Sequence, residues 1–208
     1  RKQKETLYRL ARRAANRSFA ARVLDSCWAT QGCLVDESYR NLTSELVEID
    51  RMTGARVLGI LPALCWSRRF EYPYAIINSI PPEHTSRNYR ILDCGAGLDS
   101  LQFYLAIKGY DVYSLDLDLD VLEQVARFKS NKKLKTLYPT YGNILDLPFP
   151  NEYFDRIINI SVLEHVVYHL ERDTDVILKG FVNEMLRVLK PGGVGRTNFR
   201  RKYEPKKV

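Results

Sequence analysis

The chain has 208 residues, of which 45% are hydrophobic and 27% charged, and its formal net charge is +7. This length suffices for one sizeable hydrophobic core with an appendage. No apolar stretch approaches the ~18 residues that a bilayer span needs, and the charged N-terminus does not resemble a signal peptide. The four cysteines lack paired C-x-x-C spacing, so we expect reduced thiols and a cytoplasmic location.

The positive charge is concentrated at the two ends of the chain. Residues 1–30 hold eight Lys and Arg against two acidic residues, and residues 196–208 hold six against one. Basic ends on a near-neutral middle indicate an anionic partner, either nucleic acid or a phosphorylated or carboxylated substrate. A solvated helix face followed by a disordered tail explains the same pattern. Aromatic residues are not interleaved with the N-terminal arginines, so base stacking has little support there.

Helical periodicity dominates the first part of the chain. The spacing of apolar residues predicts helices over residues 3–28, 39–52, 56–65 and 71–80, the last of them stopped by Pro81-Pro82. We therefore expect a helical N-terminal region over residues 1–82.

Strands and helices alternate in the remainder, residues 83–208. The predicted strands lie near residues 89–94, 111–116, 136–141, 155–160 and 194–199, with helices near 99–108, 118–130 and 174–189. This alternation predicts an α/β domain built on a doubly wound, mostly parallel sheet. The last stretch, from Gly195 to Arg201, is more basic than a buried parallel strand usually is.

The first two strands of this domain frame a candidate cofactor site. The first strand leads into Asp93-Cys94-Gly95-Ala96-Gly97, and the second ends at Asp116, 23 residues after Asp93. Glycines permit positive φ and let a ligand lie against bare backbone, and the following helix points its free N–H groups at that ligand. A carboxylate at the end of the second strand is placed to accept hydrogen bonds from ribose hydroxyls. The pattern predicts a socket for an adenosine-bearing cofactor.

Two residues of this motif favour a sulfonium cofactor over a dinucleotide. The dinucleotide fingerprint places a third glycine where this chain has Ser100. The preceding Asp99 would repel a pyrophosphate at the helix N-terminus. S-adenosylmethionine carries no phosphate and would not be repelled.

Three downstream segments carry a family resemblance: residues 141–150 (YGNILDLPFP), 153–165 (YFDRIINISVLEH) and 183–193 (NEMLRVLKPGG). Together with the opening motif, the chain resembles class I S-adenosylmethionine-dependent methyltransferases of the small-molecule type. The resemblance implies that S-adenosyl-L-methionine is the cofactor. It implies that Asp93, Gly95, Gly97 and Ser161 surround its methionine end, and that its ribose and adenine meet Asp116, Leu117, Asn143 and Ile144.

The chain departs from the family pattern at three points. The third small residue of the glycine-rich loop is Asp99, and the carboxylate that usually faces the adenine is Asn143, whose amide both donates and accepts. The family usually closes its sheet with two further strands after the fifth, and only Arg200–Val208 remain here. The C-terminal strands of the core are therefore expected to be missing. Truncation, unplaced residues and another way of completing the sheet stay open.

Glu164 and His165, directly after the fourth strand of the core, are the candidate catalytic residues. The reactive methyl group should emerge there, and His165 is a candidate general base or substrate-orienting residue. A structural role is the alternative, because the matching histidine of the family is often structural. His169, four residues on, has no third ligand at fitting spacing, so no metal site is expected.

The resemblance extends to Tyr72 and Tyr74 before the first strand. In small-molecule methyltransferases such a segment folds over the cofactor as a lid, and these tyrosines would then line the acceptor site. The alternative is that they anchor the helical region on the core.

Three functions remain open on the sequence. A small-molecule methyl acceptor is favoured, because Ser161-Val162-Leu163-Glu164 stands where amino-methylating nucleic-acid enzymes tend to carry Asn-Pro-Pro-Tyr. An RNA or other nucleic-acid methyltransferase that uses the basic ends is the second. A non-catalytic methyltransferase-like binding module is the third.

Overall fold

The computed structural model describes residues 22–24, 36–56, 59–65, 68–80, 89–163, 165–166 and 174–198. In chain order its elements are β1 (Arg22–Leu24), α1 (Glu37–Thr53), a single 3-10 turn (Pro62–Leu64), α2 (Arg68–Ser79), β2 (Arg90–Cys94), α3 (Ser100–Ile107), β3 (Asp111–Asp116), α4 (Leu119–Lys132), β4 (Leu137–Tyr141), β5 (Phe154–Ile160), α5 (Thr174–Val188) and β6 (Leu189–Asn198).

The strands form one parallel sheet in the order β1-β6-β5-β2-β3-β4. β2 lies between β3 and β5, so the chain leaves β2 toward one side of the sheet and later returns to its other side. Such a reversal opens a crevice at the carboxyl ends of the strands, where open α/β sheets bind ligands. The predicted α/β fold is confirmed.

Helices cover both faces of the sheet, as the doubly wound prediction requires. On one face, side chains of α1 to α4 pack against Ile91, Val112 and Leu137. On the other, α5 packs against Leu92 and Leu115, together with Ile157. Each fully buried aliphatic side chain in these two layers contributes about 1.5–3 kcal/mol of transfer free energy. This burial holds the strand ends, and the loops between them, in place.

Two of the predicted N-terminal helices are confirmed. α1 begins after Asp36, whose side chain accepts hydrogen bonds from the N–H groups of Ser38 and Tyr39, and ends at Gly54 with φ of 74°. α2 matches the prediction over residues 71–80 and starts three residues earlier, at Arg68. The prolines expected to stop it, residues 81 and 82, lie outside the described residues.

Two other N-terminal helix predictions are wrong where the structure describes them. Of residues 56–65, the structure describes 56 and 59–65, and in these the 3-10 turn forms in place of an α-helix because Gly59 takes a φ of 80° and Pro62 starts a new turn. Within residues 3–28, Arg22–Leu24 is a strand that pairs in parallel with Val194–Arg196. An apolar pair as short as Val23-Leu24 is compatible with both helical and strand periodicity, and the pairing with β6 is what makes this segment a strand. The rest of that stretch lies outside the described residues.

β6 also corrects an expectation, since the basic stretch after Val194 is an interior strand between β5 and β1. The Arg196 guanidinium donates to the carbonyl oxygen of Asn78 at 2.7 Å, and Arg156 donates to that of Ser79 at 2.5 Å. The positive charges therefore cap the carbonyl end of α2, where a helix favours cations. In the described part of the chain, β1 occupies the sheet position beside β6. The division into regions 1–82 and 83–208 stays a prediction.

The helices that the structure describes include none with the length and apolar character needed to cross a membrane.

Candidate functional site

The loop between β2 and α3 lies at the carboxyl edge of the sheet and is held from several sides. The N–H groups of Gly95 and Ala96 both donate to the carbonyl of Leu115, at 2.8 and 3.1 Å. The Gln102 side chain donates to the carbonyl of Gly97 at 2.8 Å and accepts a hydrogen bond from Ser114. These contacts tie the loop to β3 and to its own helix, so its shape is fixed before any ligand binds.

The two glycines of the loop are needed for different reasons. Both take positive φ, 65° at Gly95 and 58° at Gly97. A Cβ at Gly95 would lie 2.6 Å from a methyl carbon of Val162, whereas a Cβ at Gly97 would meet nothing within 4 Å. Gly95 therefore allows the loop to approach the segment after β5, and Gly97 leaves an open space above the backbone.

Asp116 braces the same loop from the end of β3. One carboxylate oxygen accepts the Gly97 N–H at 2.9 Å and the other accepts the Asp118 N–H at 3.0 Å. A carboxylate oxygen has two lone-pair sites, so each still has capacity for one further donor. The position fits ribose hydroxyls approaching from solvent.

Asp93 is a buried carboxylate with unused hydrogen-bonding capacity. Its side chain is 3% exposed, and Oδ2 has no hydrogen-bond partner. Burial raises the pKa of Asp93 well above its ordinary value, and the nearby carboxylates of Asp99 and Asp116 raise it further, while Arg68 lowers it. An unpartnered buried carboxylate calls for a cationic donor, such as an ammonium group.

Asp99 occupies the N-terminus of α3. Its Oδ1 accepts the Leu101 N–H at 3.0 Å, and its Oδ2 accepts the Tyr72 hydroxyl at 2.7 Å. Burial raises the pKa of Asp99 to about 6, although the Tyr72 hydrogen bond and the charge of Arg68 lower it. Because this carboxylate already uses the helix N-terminus, a pyrophosphate has no place there, as the sequence led us to expect.

The segments after β3 and β4 carry the residues expected at the adenine. Leu117 is 56% exposed just beyond β3, which leaves an apolar surface for a ring. Asn143 is exposed, and its Oδ1 accepts the Leu145 N–H at 2.9 Å, which leaves the amide nitrogen available as a donor. The Ile144 side chain is instead 6% exposed and packs into the core with Leu115, so its backbone is the part that a ligand can meet.

The segment after β5 borders the glycine loop. Ser161 takes a φ of 55°, and its buried Oγ has no hydrogen-bond partner. His165 lies one turn on, with an exposed side chain, and its N–H donates to the Val162 carbonyl at 2.9 Å. Glu164 lies outside the described residues.

Sequence reasoning missed the bridge between β5 and β2. The buried Asn159 donates to the carbonyl of Cys94 at 3.3 Å and accepts the Thr197 hydroxyl at 3.1 Å. This bridge links three strands directly beneath the crevice. Its signal was present, since Asn159 is a single polar residue in the apolar run Ile157-Ile158-Asn159-Ile160.

The two tyrosines of α2 fit the anchoring alternative. Tyr72 is 1% exposed and belongs to the core. Tyr74 lies against β6, with the Arg196 guanidinium 5.7 Å from its ring centroid. No group of three or more metal-ligating side chains occurs among the residues that the structure describes.

A parallel sheet, a glycine turn with positive φ and carboxylates at the ends of two neighbouring strands define a nucleoside-binding α/β domain. The methyltransferase domain family matches residues 92–195, half of the chain. The chain therefore belongs to this family of class I S-adenosylmethionine-dependent methyltransferases, and S-adenosylmethionine is the cofactor that membership implies. The unpartnered oxygens of Asp93 and Ser161 and the open space at Gly97 fit that cofactor.

Several curated proteins are similar to this chain. A probable S-adenosylmethionine-dependent methyltransferase of Mycolicibacterium smegmatis is 27% identical over 152 residues, which cover 69% of this chain and 49% of that protein. An uncharacterised protein of Methanocaldococcus jannaschii is 36% identical over 107 residues, 51% of this chain and 39% of its own length. A demethylmenaquinone methyltransferase of Tropheryma whipplei is 31% identical over 103 residues, 50% of this chain and 38% of its own. The chain thus spans under half the length of these relatives.

Among solved structures, a putative S-adenosylmethionine-dependent methyltransferase from Methanococcus maripaludis aligns with a TM-score of 0.48 and 18% identity. The alignment covers 82% of this chain and 68% of that one.

Proposed function

We propose that the protein transfers the methyl group of S-adenosylmethionine to a small-molecule acceptor. The observation that carries the proposal is the buried, unpartnered oxygen of Asp93 beside the Gly95–Gly97 turn. This arrangement suits a ligand that brings an ammonium group to the loop. The Asp99 carboxylate at the start of α3 makes the same place unsuited to a phosphate.

In this proposal each crevice residue has a defined contact. Asp93 receives the ammonium of the methionine end, and the backbone at Gly95 and Gly97 lies against the tail. The Ser161 hydroxyl borders the same end. Ribose hydroxyls donate to Asp116, and adenine lies between Leu117 and the segment at Asn143 and Ile144.

The bound cofactor supplies an electrophilic methyl carbon on a sulfonium centre. The chain's own residues then have to align the acceptor atom with that carbon and keep water away. A hydroxyl or ammonium acceptor must also lose a proton, and the exposed imidazole of His165 is our candidate to take it. Glu164 stays the second candidate catalytic residue, and it lies outside the described residues.

Two observations support a small acceptor. Ser161 and Val162 follow β5, in place of the Asn-Pro-Pro-Tyr element of amino-methylating nucleic-acid enzymes. One similar protein is named demethylmenaquinone methyltransferase, which denotes a small-molecule acceptor. We also propose a cytoplasmic location, because the cysteines have no disulfide-like spacing.

Calorimetric titration with S-adenosylmethionine and with S-adenosylhomocysteine tests the cofactor assignment. We expect binding by the intact chain and loss of binding in Asp116→Ala. Absence of binding by the intact chain would refute the enzyme assignment and leave the non-catalytic module.

The acceptor class is tested separately with S-adenosylmethionine labelled in its methyl group. Label should pass to small molecules of a cell extract and not to its RNA or DNA. Transfer to nucleic acid, weakening steeply as salt is raised, would replace the small-molecule proposal.

A further inference from the structure

Helix α2 crosses the sheet from its cofactor edge to its opposite edge. Its first turns lie at the cofactor edge, because the Tyr72 hydroxyl reaches Asp99 at 2.7 Å. Its last carbonyls lie at the other edge, where Arg196 caps Asn78 and Arg156 caps Ser79. Both ends of the helix are thus fixed in place. The side chain one helical turn before Tyr72 is therefore held near the crevice.

That side chain is Arg68. Its guanidinium carbon lies 5.6 Å from the centroid of the Tyr72 ring, and one guanidinium nitrogen bonds Glu71 at 2.6 Å. The side chain of Arg68 is 24% exposed. A guanidinium has five N–H donors, so the pair with Glu71 orients Arg68 and leaves donors for another anion.

The cofactor edge is otherwise acidic. Asp93, Asp99 and Asp116 interact electrostatically across the loop, and the charge of Arg68 lowers the pKa of both Asp93 and Asp99. The methionine tail of the cofactor carries a carboxylate as well as an ammonium group. Asp93 suits the ammonium, but the carboxylate would be repelled at this edge unless a cation received it.

We propose that Arg68 is a cofactor-binding residue that receives the tail carboxylate of S-adenosylmethionine. The inference rests on the proposed function. It places one determinant of cofactor affinity on α2, outside the part of the chain that matches the methyltransferase family. The helical region then contributes a fixed contact to the cofactor, through a helix anchored by Tyr72.

Ligand and protein can be changed independently to test this contact. Decarboxylated S-adenosylmethionine keeps the sulfonium and the ammonium and lacks only the carboxylate. We expect Arg68→Met to weaken calorimetric binding of S-adenosylmethionine about 10- to 100-fold, the range of a charge-assisted hydrogen bond. Binding of the decarboxylated ligand should change less than about three-fold, since it has no group for Arg68 to hold.

Two further variants separate contact from structure. Arg68→Lys should restore part of the affinity, because an ammonium keeps the charge and loses the bidentate geometry. Arg127→Met removes an exposed arginine that pairs with Glu123 on α4, and should leave both affinities unchanged. Thermal unfolding of each variant shows whether the fold is intact.

If Arg68→Met weakens the binding of both ligands equally, the proposal is overturned in favour of a structural role. If it weakens the binding of neither ligand, the proposal is overturned as well. If Arg68→Met does not fold, the affinities of the unaltered protein for the two ligands still test the proposal. The protein should bind decarboxylated S-adenosylmethionine at least 10-fold more weakly than S-adenosylmethionine. Equal binding of the two would overturn the Arg68 contact alone. Binding of neither would overturn the cofactor assignment itself.

Discussion

The Tyr72 hydroxyl donates a 2.7 Å hydrogen bond to the carboxylate that caps α3, that of Asp99. The two residues are 27 positions apart, Tyr72 within α2 and Asp99 at the N-cap of α3. Since Asp99 follows directly on the glycine turn, this bond fastens α2 to the loop that is proposed to hold the cofactor. Changes in the helical region should therefore be felt in cofactor binding and in stability together.

Replacing Tyr72 by Phe tests this bond. The pKa of Asp99, about 6, should rise further, because the hydroxyl stabilises the ionised form. The free energy of unfolding should fall by about 1–2 kcal/mol at pH 8, where Asp99 is charged, and by less at pH 5. Chemical unfolding at both pH values measures this, and an equal loss at both would show that the hydroxyl does not act through the carboxylate.

Unaltered protein should show the corresponding pH dependence. Asp99 has a folded-state pKa of about 6, above its ordinary value of 3.8, so the folded protein holds this proton more tightly than the unfolded chain. The contribution of Asp99 to stability therefore falls as pH rises from about 4 to about 6 and is constant above that. Asp99→Asn should remove this contribution and keep the cap on α3.

Asp116→Ala should abolish cofactor binding while the protein stays folded. The change removes the acceptor for the Gly97 and Asp118 N–H groups as well as the proposed ribose contact. We expect at least about 100-fold weaker binding of S-adenosylhomocysteine, corresponding to two or more charged hydrogen bonds.

Asp118→Ala is the matched control. Asp118 caps α4 through the N–H groups of Asp120 and Val121. Its loss should cost about 1 kcal/mol of stability and leave affinity within a few-fold of normal. Equal affinities in the two variants would argue against a ribose contact at Asp116.

Alanine at Gly95 should mainly lower stability, and alanine at Gly97 should mainly weaken ligand binding. A methyl group at Gly95 would collide with Val162, so we expect a loss of more than about 2 kcal/mol in stability. At Gly97 only the positive φ is penalised, by about 1–2 kcal/mol, but the methyl would enter the space proposed for the ligand. Thermal unfolding and calorimetry on both variants check this. Retained binding in Gly97→Ala would place the ligand elsewhere.

Cofactor binding should release protons. Burial raises the pKa of Asp93 and so favours its protonated form, whereas an incoming ammonium favours the carboxylate. Affinity should therefore rise as pH is raised and Asp93 loses its proton. Titrations at one pH in buffers of different ionisation enthalpy measure the protons released, and a heat that is independent of buffer would contradict the assignment of Asp93.

His165→Ala should retain cofactor affinity and lose at least about 100-fold in turnover, the usual contribution of a general base. The side chain is exposed, so stability should change by less than about 0.5 kcal/mol. Single-turnover methyl transfer with an identified acceptor is the measurement. Unchanged turnover would assign His165 a structural role.

The cofactor turn could be predicted because its determinants are local. Gly95, Gly97 and Asp116 belong to one strand–turn–helix–strand unit, and their roles follow from spacing and backbone freedom. Tyr72 could not be assigned in the same way, because its partner lies 27 residues away. A tyrosine on a helix is equally compatible with lining the acceptor site and with anchoring the helical region on the core. The stretch from Gly195 to Arg201 looked too basic for a buried parallel strand because the carbonyl end of α2, which Arg196 caps, is not visible in the sequence.

The pairing of β1 with β6 has a consequence for how the chain folds. It joins Arg22 to Val194, partners that lie 172 positions apart. A contact between residues so far apart in sequence closes a long loop, and the chain loses conformational entropy when that loop closes. We therefore expect this pairing to form late. Until then β6 presents an unpaired edge to other molecules, and such edges are where strands of different chains associate. During synthesis, therefore, the sheet remains open on this side until β6 has emerged and paired with β1.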